Sequence, residues 1–131
     1  MQLISQEVEI NASPEAVITF LSSPKNIEKL LPTDKISDFK FDDIACSFKV
    51  QGGITISLLQ AGSENNQKLF LKSGEKSPFP FNLTVHTLPT SSGTKGHIEF
   101  NGEVNAFLKM MVEKPLSALF NYMSSKMKEQ F

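Results

Sequence analysis

Polar and apolar residues alternate from Leu3 to Ile10, with Ile4, Val8 and Ile10 on one side and Ser5, Glu7 and Glu9 on the other. A period of two describes a strand with one buried face. The pattern then changes. Ser13-Pro14 and Ser23-Pro24 each set a capping hydroxyl before a proline, the arrangement that opens a helix. Two short helices are predicted, and Pro32 ends the second because the residue before a proline is pushed out of helical geometry.

Alternation resumes over Lys35–Phe41, and Asp42-Asp43 reads as a tight turn. The next strand, Ile44–Val50, carries Ile44, Cys46, Phe48 and Val50 on one side. Gly52-Gly53 is a two-residue hairpin signal, after which Ile54, Ile56 and Leu58 continue the pattern. Gly62–Asn66 reads as a polar turn, Leu69–Leu71 as a short strand, and Ser73–Pro80 as the longest irregular stretch. Phe81, Leu83 and Val85, a turn at Pro89–Gly93, and Ile98 with Phe100 complete the strands.

From Glu103 the period becomes helical, with Val104, Phe107, Leu108, Met111, Leu116, Leu119, Phe120, Met123 and Met127 in one apolar stripe. The stripe predicts a helix of about 28 residues, roughly 42 Å long, with a kink or break near Met111–Lys114 ahead of Pro115. Six antiparallel strands and the N-terminal one supply a surface to cover it. The expected class is α+β: a curved seven-stranded antiparallel sheet wrapped around the C-terminal helix, with two short helices after strand 1.

Composition narrows the functional classes. The 131 residues are expected to form one domain, 1–131, with no repeat or linker. Eleven Phe, one Tyr and no Trp give aromatic surface with few polar handles, suited to a dry interior or a cavity wall. A net charge of −1 provides no positive field for nucleic acid. Cys46 is the only cysteine, so no internal disulfide forms and a reducing, cytoplasmic setting is the simplest fit. No apolar run approaches membrane-spanning length and no N-terminal export signal is visible, so neither membrane insertion nor export is expected.

The run Ala12-Ser13-Pro14-Glu15-Ala16-Val17 with Phe20-Leu21, then Ser23-Pro24-Lys25-Asn26-Ile27 and Leu30-Leu31-Pro32, resembles the N-terminal signature of bacterial members of the START-like helix-grip superfamily (SRPBCC). That superfamily includes polyketide cyclase/dehydrase-like and plant pollen-allergen-like proteins. The order of elements resembles it over essentially the whole chain. Ile18 stands where a tryptophan is often found, and the Asp42-Asp43 turn lacks the glycine-rich loop of the pollen-allergen branch. The resemblance implies a cavity between sheet and C-terminal helix that holds lipids, polyketides or other apolar molecules.

Strand alternation places Phe48, Ile56, Leu58, Phe81, Leu83, Val85, Ile98 and Phe100 inward, and with Phe107, Met111 and Phe120 of the helix they are the expected lining of that cavity. Gly53 and Phe79, in the loops that would rim its mouth, are the expected gate. His86 and His97 fall on the outward face, away from any general acid–base role. Cys46 faces inward among apolar neighbours with no activating cation, and reads as a small buried hydrophobe. No metal-ligand spacing, phosphate loop or cofactor motif appears, so no metal, cofactor or catalytic residue is expected. The leading expectation is non-catalytic binding or transport of an apolar small molecule or lipid. The alternatives are a polyketide cyclase- or dehydratase-like enzyme and a protein-interaction module such as a homodimer, with Phe39, Phe41, Leu59 and Phe70 as its contact surface.

Overall fold

An eight-stranded antiparallel sheet and a C-terminal helix of 24 residues account for most of the chain. The computed structural model describes residues 1–51 and 53–131. In chain order the elements are β1 (Gln2–Ile4), β2 (Val8–Ile10), α1 (Pro14–Leu21), α2 (Pro24–Ile27), a 3-10 turn (Glu28–Leu30), β3 (Ile36–Phe41), β4 (Ala45–Val50), β5 (Ile54–Glu64), β6 (Lys68–Ser73), β7 (Phe81–Pro89), β8 (Thr94–Gly102) and α3 (Ala106–Glu129). The sheet order is β1-β8-β7-β6-β5-β4-β3, with β2 also on β8. This is the expected α+β helix-grip architecture.

The predicted first strand is split in two. Three residues, Ser5, Gln6 and Glu7, stand opposite two of β8, because Ile4 pairs with Glu99 and Val8 with Gly96. The extra residue makes a bulge and reverses the faces before it. Leu3 therefore turns inward beside Phe100, while Ile4, expected inward, is 61% exposed.

The capping signals act as predicted at α1, where Ser13 Oγ accepts from Ala16 N at 3.2 Å. Ser23 occupies the cap position of α2 without a side-chain bond. The Asp42 carboxylate closes the β3–β4 turn by accepting from Ile44 N and Ala45 N, each at 2.9 Å. Of the Gly52-Gly53 hairpin, Gly52 lies outside the described residues, and Gly53 adopts φ +98°. The predicted turn at Gly62–Asn66 falls later. β5 runs on through a bulge at Gly62 to Glu64, and the reversal is made by Asn65 and Asn66, both with left-handed φ.

Helix α3 begins at Ala106, where the Asn105 side chain accepts from Leu108 N at 2.9 Å. It is unbroken through Pro115, so of the expected kink or break the break does not occur. The carbonyl deprived of its donor belongs to Met111, at an exposed turn of the helix. Only from Val112 onward does the helix bury a face: Val112, Leu116, Leu119, Phe120, Met123, Ser124 and Met127. It packs on β1, β2, β8 and the 3-10 turn, while α1 and α2 lie against β6, β7 and β4. Among the described residues no helix is long and apolar enough to cross a membrane.

Candidate functional site

The 3-10 turn is followed by Leu31 in extended geometry and by Pro32, which begins the segment facing the middle of α3. A short reversal follows, closed by Lys35 N on Pro32 O at 3.1 Å, and Gln51 N then bonds Lys35 O at 2.9 Å. These bonds hold the start of β3 against the end of β4, where Ile36 pairs with Val50. Across from them stands the middle of α3. Because the helix packs on the β1, β2 and β8 side of the sheet, an open groove of about 530 Å³ remains between α3 and the β3–β4 edge.

Val50, Leu119, Ile36, Pro32, Pro115, Ala118 and Tyr122 give the groove its apolar walls, and Asp34, Lys35 and Gln51 its polar side. Val50 and Leu119 are buried and belong to the core, so the groove opens directly onto the helix–sheet interface. Tyr122, the only tyrosine, carries the Lys126 ammonium 5.6 Å from its ring centroid. A shallower trough of about 230 Å³ continues from the same segments past Ser37 and Lys49 to Gly53. At 100° per residue, Phe107, Met111, Pro115, Ala118 and Tyr122 fall within an arc of about 80° on α3. The groove wall is thus the lower half of a longer apolar stripe.

The residues expected to line a cavity divide into two groups. Phe48, Ile56, Leu58, Phe81, Leu83, Val85, Ile98, Phe100 and Phe120 are all buried in one contiguous core. Their rings and branched chains pack on each other. Phe120 lies 5.4 Å from Phe100, Phe100 lies 5.1 Å from Phe81, and Phe79 reaches Phe81 and Phe100 at 6.0 and 6.3 Å. Phe79, expected as a gate, is a buried plug in this cluster. Its loop is tied down where Gly74 N bonds Ser57 O at 3.0 Å and the Ser77 hydroxyl bonds the Ser57 backbone. Gly53 sits at the exposed hairpin turn beside the trough.

Phe107 and Met111 are the correction. They are 72% and 56% exposed, and Met110 is 86% exposed, because in the first two turns of α3 Leu108, on another side of the helix, is the residue that packs on the core. Helical spacing fixes the angle between side chains but not the direction in which the stripe points. Pro32, Ile36 and Pro115 are read in the sequence only as structural positions, and Ala118 and Tyr122 not at all, so none of the five was expected in a site. Their one signal is Tyr122, which puts a polar tip on an otherwise apolar helix face.

The thiol, the two histidines and Glu99 lie outside the groove. Burial, with the Asp42 charge adding to it, pushes the Cys46 thiol up to about 12. His86 and His97 are on the outer face as expected, but directly opposite one another on β7 and β8. Burial and the neighbouring His86 lower the His97 pKa from its ordinary value. Hydrogen bonds from Asn101, Gln2 and His86 hold the Glu99 carboxyl down to about 2. A second, more open pocket of about 540 Å³ lies by the β3–β4–β5 strands, lined by Phe41, Cys46, Ser47, Ser57 and Leu59 together with Gly74–Lys76. No group of three or more metal-ligating side chains converges among the described residues.

No family model matches the sequence, and no curated protein matches it. Solved structures do. The KanY protein is 16% identical with a TM-score of 0.78, over 99% of this chain and 96% of that one. A protein from Thermus thermophilus is 16% identical with a TM-score of 0.72, over 99% of this chain and 96% of that one. A START superfamily protein from Mycobacterium smegmatis is 12% identical with a TM-score of 0.67, over 99% of both chains. At these identities the likeness is one of fold, and the fold is the START-like helix grip.

Proposed function

We propose that the protein binds an apolar small molecule or lipid without transforming it, in the groove between α3 and the β3–β4 edge. The observation that carries this reading is the groove itself, about 530 Å³ of space with apolar walls opening onto the helix–sheet interface. Pockets of a few hundred Å³ with mostly apolar walls and few polar groups are the usual form of small-molecule sites. Burial of ligand surface there supplies about 25 cal/mol per Å². Asp34, Lys35 and Gln51 orient a polar end of the ligand towards solvent. The likeness in fold to a START superfamily protein supports an apolar ligand as the occupant.

In this proposal the ligand lies in the groove and not in the sheet interior, where aromatic rings occupy the space. An enzymatic role finds little support, because the thiol is held protonated and both histidines face away from the groove. A second reading, a protein-interaction module, is favoured by the exposure of Phe107, Met110 and Met111. Native and denaturing mass spectra of the purified protein, combined with displacement of a fluorescent fatty acid, test the first reading. Saturable displacement by apolar compounds is expected. A protein that takes up none of them, and dimerises in sedimentation, would establish the second reading instead.

A further inference from the structure

The outer face of the sheet carries an arrangement unrelated to the groove. His86 of β7 and His97 of β8, separated in sequence, are paired residues of adjacent antiparallel strands. Their rings lie face to face, 4.6 Å between centroids and 10° from parallel. Both are partly exposed, so solvent reaches the pair. His86 Nε2 is 2.7 Å from Glu99 Oε1. The other oxygen of that carboxylate accepts from Gln2 Nε2 at 2.8 Å and Asn101 Nδ2 at 3.0 Å. An ionised carboxylate only accepts, so Nε2 carries the hydrogen, and Nδ1 is the lone-pair nitrogen of the neutral ring.

We propose that His86 and His97 form a two-histidine chelate for a borderline divalent transition ion such as Zn²⁺, Ni²⁺ or Cu²⁺. Imidazole nitrogen is the donor these ions prefer. Directly opposed positions on antiparallel strands set the two Cβ atoms about 5 Å apart, within common reach of one ion. Tetrahedral zinc holds two nitrogens roughly 3.3 Å apart, with bonds of about 2.0–2.1 Å. The lone pairs lie in the ring planes, so binding turns the stacked rings about their side-chain torsions, with the partly exposed Glu99 carboxylate following His86 Nε2. Glu99 is the feature that separates this pair from two chance neighbours. A carboxylate on the far nitrogen fixes tautomer and ring orientation, as it does behind metal-bound histidines generally. Lys68 stands in register with His86, and Glu7 acts on His97 from the other side, so the cation is favoured on the His97 side. Water supplies the remaining coordination positions.

The test is titration of tag-free protein with NiCl₂ and ZnCl₂ in chelator-free buffer at about pH 7.5, where imidazole is largely neutral. Calorimetry gives stoichiometry and affinity, and NMR of the imidazole nitrogens gives location. One ion per chain is expected, with shifts confined to His86 and His97. Each of His86→Gln and His97→Gln should weaken binding at least tenfold, since a second tethered ring acts at high effective concentration. Glu99→Gln should weaken it by about tenfold or more while leaving both rings in place. Circular dichroism of each variant establishes that the sheet is intact. Equal affinity in wild type and either histidine variant overturns the proposal, as does binding that shifts neither ring. Ala118→Trp, which fills the groove, should leave ion binding unchanged, so failure here is separable from failure of the ligand-binding reading.

Discussion

The ring of Phe120 stacks on that of Phe100, with centroids 5.4 Å apart and planes 29° from parallel, joining α3 to the centre of β8. This contact packs the interior between helix and sheet. The open volumes lie at its margins, in the groove between α3 and the β3–β4 edge and in the pocket beside β3, β4 and β5. Phe120→Ala should therefore cost about 3–5 kcal/mol. Urea unfolding measures the loss. The same variant should gain a small apolar cavity, visible as xenon-induced shifts on Phe100 and Phe81, and unchanged spectra would show that the core had collapsed.

Ala118 and Met111 lie on one stripe of α3 but differ in what they face. Ala118→Trp should fill the groove and reduce affinity for a fluorescent fatty acid at least tenfold, with little change in melting temperature. Met111→Trp, on the exposed turns, should leave affinity within twofold. Equal effects of the two would move the site along the helix.

Cys46 should be inert in the folded protein. A shift from 9.0 to about 12 reduces the thiolate fraction at pH 8 roughly 1,000-fold. Alkylation by iodoacetamide should proceed at a rate set by unfolding and accelerate in urea. Rapid labelling under native conditions would mean that β4 opens locally.

Glu99 gives the stability a defined acid limb. Its folded pKa lies near 2, below the ordinary 4.5, because Asn101, Gln2 and His86 donate to the ionised carboxylate. The stabilisation is complete above pH 4.5 and is lost as pH falls towards 2. Glu99→Gln should flatten the stability profile over that interval, and side-chain carboxyl NMR reads the pKa directly.

Ser124, buried in α3, donates from Oγ to Gln6 O at 2.8 Å and accepts from Ser5 Oγ at 3.2 Å. Ser124→Ala leaves the Gln6 carbonyl without this donor and should cost about 1–3 kcal/mol. Amide exchange should rise along the C-terminal half of α3.

The strands from β4 to β8 were legible because apolar alternation marks a buried face in each. Ser47 and Ser57 on the opposite face are nevertheless also buried, and Ile44, read as inward, is 59% exposed just ahead of β4. Phe48, Ile56, Leu83 and Phe100 sit where alternation puts them. Ile4 does not, because polar residues at Ser5–Glu7 give no sign that an extra residue is inserted there. Phe107 and Met111 share the helical period with Leu119 and Phe120, yet only the later residues meet the sheet. Periodicity describes a helix relative to itself, and docking against β1, β2 and β8 decides which turns are covered. The groove was least legible of all. Its walls come from three separate segments, around Pro32, Val50 and Pro115, and each reads alone as ordinary core or loop.

The bulge at Ser5–Glu7 makes the sheet and the helix separable by a single codon. β1 and β2 already pair with β8 on either side of it, so removal of Gln6 would bring both into one uninterrupted register with every inward residue still inward. The same deletion would take away the backbone amide that donates to Asn121 Oδ1 and the carbonyl that receives Ser124. A chain one residue shorter would keep its wall and lose the latch on its helix, which makes this position a natural place for length variation to tune how firmly α3 is held.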